Sequence, residues 1–175
     1  MATHQRPAEA DGILERDGSR TVLRFRRHLA HPVERVWVAL TEPGELSAWW
    51  GDAEIDLAPG GRFVLRWRNL DENGDAAVMH ATITRLEPPR LLETVGDLHG
   101  TLRWELEPEG DGTRLSFSST LELPEEYRAM VPAGWHYHLD ALEIALAGGR
   151  AELVELPNPE WEAIHARYRS ALEGA

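Results

Sequence analysis

The sequence predicts an α+β fold in which a meander of antiparallel strands precedes one long helix. Between residues 61 and 123, turn signals recur at intervals of about 8–12 residues, and no helical pattern separates the strands. Such spacing is typical of hairpins, because parallel strands need a long crossover between them. After residue 133 the spacing of the apolar residues changes to that of a helix.

Length, charge and composition limit the classes of function. The 175 residues suit one domain with short appendages, and 42% of them are hydrophobic. The net charge is -12, which argues against nucleic-acid binding, because that needs a dense basic face to displace phosphate counterions. The chain has no cysteine, which excludes disulfides, thiolate metal sites and a cysteine nucleophile.

The ends of the chain suggest where the protein works. Residues 1–11 are polar, so we expect a flexible N-terminus rather than a signal peptide. No apolar run approaches the ~20 residues that span a bilayer, so we expect no membrane insertion. A cytoplasmic protein is the resulting prediction.

The first third of the chain predicts a hairpin and two short helices. Asp17-Gly18 indicates the hairpin, because both central positions of a type I′ turn need positive φ. Thr41 is expected to cap a second helix through residues 45–50, which Gly51 closes. The first helix is predicted from apolar residues at i, i+3, i+4 and i+7, namely Val33, Val36, Trp37 and Leu40.

The rest of the chain predicts strands and two longer helices. The long helix lies within residues 133–149, where Trp135, Leu139, Leu142 and Leu146 form one stripe. Asn158 is expected to cap an amphipathic helix at 159–172, inside a C-terminal extension of residues 150–175. The predicted strands cover residues 61–69, 77–87 and 90–97 and the hairpin 101–123.

This order of elements resembles the helix-grip fold, in which a curved antiparallel sheet wraps around a C-terminal helix. Four segments agree in detail with one branch of that fold: LRFRRHLAHPVERVWVALTEPGELSAWWG, ITRLEPPRLLETV, LRWELEPEGDGTRLSFSS and GWHYHLDAL. They resemble the SRPBCC/START-like superfamily, and within it the bacterial branch homologous to the activator of the ninety-kilodalton heat-shock chaperone's ATPase. The resemblance spans about residues 12–148, within the expected helix-grip domain of residues 12–149.

The resemblance implies a cavity between the sheet and the long helix. Its members range from carriers of apolar ligands to cyclases, so the fold alone does not define the chemistry. The adjacent Trp49 and Trp50 are expected at the mouth, acting as a lid. A close-packed core without a void is the alternative for the same residues. The candidate ligand-binding residues are Trp49, Trp50, Phe63, Leu65, Trp67, Trp104, Phe117, Trp135, His138, Leu139 and Leu142.

The histidines are candidate metal ligands and candidate catalytic bases. On a helix, His136 and His138 lie about 200° apart around the axis, so they cannot coordinate the same metal ion. We therefore expect neither a metal nor a cofactor. His138 is expected to face the cavity and His136 to face solvent near Asp140. His99 is expected to be exposed in a turn.

Three hypotheses about function remain. The leading one is binding of an apolar or aromatic small molecule, without assigned catalysis. The second is a cyclase-like or hydrolase-like enzyme that uses His138 or His80, although no catalytic constellation is apparent. The third is a protein-interaction module, either chaperone-regulating or linked to transcription, with a chaperone as the possible partner. The helix at 159–172 is expected either to pack on the outer surface of the domain or to form a homodimer contact.

Overall fold

The computed structural model describes residues 10–70, 73–151 and 158–174. Within these residues the strands form one antiparallel sheet in the order β1-β2-β8-β7-β6-β5-β4-β3. The predicted α+β fold is therefore confirmed. The strands are β1 (Ile13–Asp17), β2 (Arg20–Leu29), β3 (Asp52–Ile55), β4 (Arg62–Leu70), β5 (Ala76–Glu87), β6 (Leu91–Gly96), β7 (Gly100–Glu109) and β8 (Gly112–Leu121).

Four α-helices accompany the sheet in the described part of the chain. Two short ones join β2 to β3, a long one follows β8, and the last lies in the C-terminal extension. Residues 1–9 of the expected N-terminus and residues 152–157 of that extension lie outside the described residues, and the predicted domain boundaries stay predictions. The helices are α1 (Val33–Thr41), α2 (Pro43–Leu46), α3 (Met130–Leu146) and α4 (Pro159–Glu173).

The first hairpin forms where predicted, but its turn is of another type. Asp17 pairs with Arg20, so the two central residues are Gly18 and Ser19 rather than Asp17 and Gly18. Gly18 has a φ of 62°, and Ser19 does not have positive φ. A glycine with positive φ at the first central position is typical of a type II′ turn, so the type I′ prediction was wrong.

The second short helix is shorter than predicted. α2 ends at Leu46, and turns carry the chain through the two tryptophans to Gly51. Thr41 does not cap it, because Thr41 closes α1 and its hydroxyl donates to the Trp37 carbonyl at 2.8 Å. Residue 51 must be a glycine because the backbone of β4 passes close to it: a Cβ at this position would lie 2.5 Å from the Arg66 carbonyl oxygen.

Helix α3 crosses the inner face of the sheet and presents the predicted stripe to it. Trp135, Leu139, Leu142 and Leu146 are all buried. Gly148, with a φ of 86°, follows the end of the helix, as is common at helix C-termini. The opposing buried residues on the sheet are Leu23 and Phe25 of β2, Phe63 and Leu65 of β4, Met79 and Ile83 of β5, Leu102, Trp104 and Leu106 of β7, and Leu115 and Phe117 of β8.

Candidate functional site

An aromatic cluster lies between the sheet and α3, with Trp50 at its centre. The ring centroid of Trp50 lies 5.2–6.2 Å from those of five other aromatic side chains. At such separations the rings are in direct contact. Four parts of the chain supply these five neighbours: the turn after α2, β4, β7 and α3. They are Trp49, Phe63, Trp67, Trp104 and Trp135.

The tryptophan pair is interior to the fold. Trp49 and Trp50 are 0% and 2% exposed, and their rings stack with centroids 5.4 Å apart. The Trp49 indole nitrogen donates to the Ala39 carbonyl at 2.9 Å. The pair is therefore not an exposed lid, because the turn after α2 places both rings against the sheet.

The predicted site residues all lie in the core between the sheet and α3. All of them are buried except Trp67, which is partly buried and packs against the same core. Their role in binding a ligand stays a prediction. The buried members are Trp49, Trp50, Phe63, Leu65, Trp104, Phe117, Trp135, His138, Leu139 and Leu142.

His138 faces the cluster, as expected, and both of its ring nitrogens are engaged. Its Nε2 accepts from the indole nitrogen of Trp67 at 3.2 Å, and its Nδ1 lies 3.3 Å from the Trp49 carbonyl oxygen. An indole only donates and a carbonyl only accepts, so these contacts require the neutral Nδ1–H tautomer. Burial lowers the pKa of His138 to about 4, against the opposing effect of the Trp49 carbonyl.

His99 belongs to this cluster, although the turn sequence predicted it to be exposed. Its ring centroid lies 5.5 Å from that of Trp67 and 5.1 Å from that of Trp135. Burial, together with a smaller effect of His138, lowers the pKa of His99 to about 4, although Asp97 acts to raise it. The prediction was wrong because the turn between β6 and β7 folds its imidazole inward. No pattern in the sequence distinguishes this histidine from one in an exposed turn.

Three buried nitrogens of the cluster have no hydrogen-bond partner among the described residues. They are Nε1 of Trp50, Nε1 of Trp135 and Nδ1 of His99. Their rings touch in series, since Trp50 contacts Trp135 and Trp135 contacts His99. A buried polar group without a partner costs about 1–3 kcal/mol, and native proteins contain few of them. Three such nitrogens therefore lie within one otherwise apolar cluster.

A second polar cluster lies on the outer side of α3, under α4. The Tyr168 hydroxyl lies 2.9 Å from Nδ1 of His136 and accepts from the Gly12 amide at 2.7 Å. Arg167 of α4 pairs with Asp11 at 2.6 Å. Burial lowers the pKa of His136, although Asp140 raises it, and burial raises the pKa of Tyr168 to about 12. His136 was expected to be solvated, and it is buried because α4 covers it.

Arg27 is a buried cation that the sequence pattern did not single out. It lies on the inner face of β2, and its side chain is 7% exposed. Its Nη1 donates to Asp140 at 2.8 Å and to Glu143 at 3.1 Å, which ties β2 to α3. Its Nε and Nη2 have no partner among the described residues.

The remaining candidates lie apart from the cluster. His80 is exposed on β5, and its backbone amide donates to Asp97 at 3.0 Å. Within the described ranges, no group of three or more His, Cys, Asp or Glu side chains is arranged to hold a metal ion. In the same ranges, no helix is long and apolar enough to cross a membrane.

Comparison with known proteins places the chain in a family. The family model described as Activator of Hsp90 ATPase homolog 1-like protein matches residues 30–147. The crystal structure of CalU16 from Micromonospora echinospora is similar, with 26% identity and a TM-score of 0.69 over 92% of this chain and 94% of that one. Protein NE0264 from Nitrosomonas europaea has 25% identity and a TM-score of 0.64, over 77% of this chain and 98% of that one.

A third structure supports the fold alone. Protein EF2215 from Enterococcus faecalis has 19% identity and a TM-score of 0.69, over 93% of this chain and 90% of that one. Comparison with curated proteins gives no significant match. The family model covers well over half of the chain, and the solved structures share its fold. The protein therefore belongs to the family of Activator of Hsp90 ATPase homolog 1-like proteins.

Proposed function

We propose that this protein binds a small apolar or aromatic molecule between the curved sheet and α3. The observation that carries the proposal is the set of three unpartnered nitrogens inside the aromatic cluster, on Trp50, Trp135 and His99. Native cores contain few such groups, and each one calls for an explanation. Ligand sites, in contrast, combine apolar walls with a few polar groups that orient the ligand.

The proposed entrance lies where the cluster meets the surface. Trp67 and His99 touch each other and are both partly exposed, unlike the rings behind them. Leu98, next to His99, is 47% exposed and adds apolar surface beside them. Entry here needs only the outermost side chains to move, whereas entry past Trp49 and Trp50 needs the buried pair to move.

The chemistry of the cluster favours binding over catalysis. A general base needs a pKa near the working pH and, in the usual arrangement, a carboxylate that orients it. Burial holds the pKa of His138 at about 4, and its two nitrogens contact an indole and a carbonyl rather than a carboxylate. His80 lies on the exposed face of β5 and does not support the enzymatic alternative.

The test is a titration of the purified protein with 2-acetylnaphthalene, followed by tryptophan fluorescence and by calorimetry. Apolar burial contributes ~25 cal/mol per Å² of ligand surface, which favours binding. We expect the binding to saturate at one molecule per chain, because the proposed site is a single cluster. Trp67→Ala should weaken it at least fivefold, because it removes one wall of the entrance. Trp161→Ala is the matched control, since this tryptophan lies on α4, outside the sheet–α3 space, and should leave the affinity unchanged. Absence of saturable binding would overturn the proposal.

The other expected partners and the location stay predictions. The chaperone partner rests on the family resemblance, and the homodimer rests on the amphipathic pattern of α4. In the structure α4 packs against α3 of its own chain, which favours the intramolecular alternative. Cytoplasmic location rests on the sequence. Sedimentation at increasing concentration tests the dimer, and a mass that rises toward twice that of one chain would support it.

A further inference from the structure

The three unpartnered nitrogens also restrict the class of ligand. We infer that the ligand is a neutral aromatic molecule with a hydrogen-bond-accepting oxygen, such as an aryl ketone or a quinone, whose oxygen accepts from Trp50 and Trp135 beside His99. This inference rests on the proposed binding function and adds the polar group that the ligand must carry.

The first step is the donor inventory of the cluster. An indole nitrogen only donates, so Trp50 and Trp135 can be satisfied only by an acceptor. An imidazole nitrogen donates or accepts according to its tautomer, so His99 can pair with either a carbonyl or a hydroxyl group. A pure hydrocarbon would leave all three nitrogens unpaired, and an ammonium group, which only donates, would leave both indole nitrogens unpaired.

The second step is the charge of the surroundings. Burial holds the pKa of both His99 and His138 at about 4, so both imidazoles are neutral at pH 7. Arg27, a cation on the inner face, keeps two donors without partners among the described residues, Nε and Nη2, but its charge is already balanced by Asp140 and Glu143, which accept from its Nη1. A carboxylate ligand would lose its hydration among aromatic rings without gaining a free counter-ion, which is unfavourable. A neutral oxygen acceptor has no such cost.

The third step is a comparison within the cluster itself. Trp49 is as deeply buried as Trp50, and their rings stack. Yet the Trp49 indole already donates to the Ala39 carbonyl at 2.9 Å. The indole nitrogens of Trp50 and Trp135 are therefore available to a ligand, whereas that of Trp49 is not.

The experiment compares three probes that share one ring system: 2-acetylnaphthalene, 2-ethylnaphthalene and 2-naphthoate. Ketone and hydrocarbon have nearly the same shape, so their difference reports the oxygen. By calorimetry at pH 7 we expect the ketone to bind at least tenfold more tightly than the other two. Equal or tighter binding of 2-ethylnaphthalene would overturn the inference and leave the proposed function intact, because it would mean that ring faces already satisfy the indoles. Tightest binding by 2-naphthoate would overturn it as well.

Variants assign the preference to particular nitrogens. Trp50→Phe and Trp135→Phe each keep an aromatic ring and remove the N–H group, and each should reduce the ketone preference at least threefold. Trp161→Phe, on α4 outside the sheet–α3 space, is the control and should leave the preference unchanged. If Trp161→Phe reduces it as much as the other two, the assignment is wrong.

A measurement on the unaltered protein covers the case in which a variant does not fold. In ¹H–¹⁵N spectra the indole signals of Trp50 and Trp135 should move downfield with 2-acetylnaphthalene, and that of Trp49 should not. Unmoved signals for both, with the ketone bound, would overturn the inference. If none of the three probes binds, the proposed function fails and the inference fails with it.

Discussion

The indole nitrogen of Trp67 donates a hydrogen bond to Nε2 of His138 at 3.2 Å, and this bond ties β4 to α3. The other imidazole nitrogen faces the Trp49 carbonyl oxygen at 3.3 Å. One neutral histidine thus links a strand, a helix and the turn that carries the tryptophan pair. The aromatic cluster is held together by this polar connection as well as by ring contacts.

The first prediction concerns pH. The pKa of His138 falls from 6.5 unfolded to about 4 folded because of burial, so the unfolded chain binds this proton more readily. The resulting stability is fully present above about pH 6.5 and is lost as pH falls toward 4, by on the order of 3 kcal/mol. His138→Gln should lack this part of the pH dependence. Urea unfolding at pH 7.0, 5.5 and 4.5 measures it.

The control for that prediction is His80→Gln, an exposed histidine on the same domain. It should show the pH dependence of the unaltered protein. His99 titrates in the same window for the same reason, since burial lowers its pKa to about 4. Equal slopes for the unaltered protein and for His138→Gln would contradict the prediction.

The second prediction concerns the glycine that follows the tryptophan pair. A Cβ at Gly51 would lie 2.5 Å from the Arg66 carbonyl oxygen on β4, so Gly51→Ala must displace either the turn or the strand. We expect a loss of about 2 kcal/mol or more in the free energy of unfolding, as for overpacking elsewhere. Gly44→Ala, in α2 with no atom near its Cβ, should instead be neutral or slightly stabilising. Thermal unfolding compares the two, and similar melting temperatures would refute the steric account.

The third prediction concerns Arg27. Two of its nitrogens are buried without partners, so Arg27→Met should change the free energy of unfolding by only about 1 kcal/mol in either direction. Removal of both carboxylates, in Asp140→Ala with Glu143→Ala, leaves a cation that is 7% exposed without its counter-ions. That double variant should lose about 3 kcal/mol. A larger loss for Arg27→Met than for the double variant would reverse this ranking.

The fourth prediction concerns the docking of α4. The Tyr168 hydroxyl accepts from the Gly12 amide and lies within hydrogen-bond distance of Nδ1 of His136. Tyr168→Phe leaves both groups without this partner, so we expect a loss of about 1–2 kcal/mol. Leu172→Ala, at a 37% exposed position on the same helix, should cost less than about 0.5 kcal/mol. Chemical denaturation decides, and equal losses would mean that the hydroxyl contributes nothing specific.

Removal of residues 152–175 tests α4 as a whole. It uncovers His136 and the outer side of α3, so the melting temperature should fall while the mass in solution stays that of one chain. A doubled mass after truncation would show that the uncovered surface associates with a second copy. An unchanged melting temperature would show that α4 does not stabilise the domain.

The sequence by itself determined the run of antiparallel strands from β4 to β8 and the buried stripe of α3. Both follow from local rules, because side chains repeat every second residue on a strand and about every 3.6 residues on a helix. The stripe from Trp135 to Leu146 is buried as predicted. The cap of α4 was equally local, since the Asn158 side chain accepts from the Trp161 amide.

Only the tertiary structure decided the polar features. Trp67 and His138 are 71 residues apart, and their hydrogen bond depends on how β4 and α3 pack. His99 was predicted to be exposed in its turn and His136 to face solvent beside Asp140, yet the turn folds the ring of His99 against Trp135 and α4 buries His136. The unpartnered nitrogens of Trp50 and Trp135 are likewise invisible in the sequence. Whether a buried donor finds an acceptor depends on residues far along the chain, and periodicity carries no information about them.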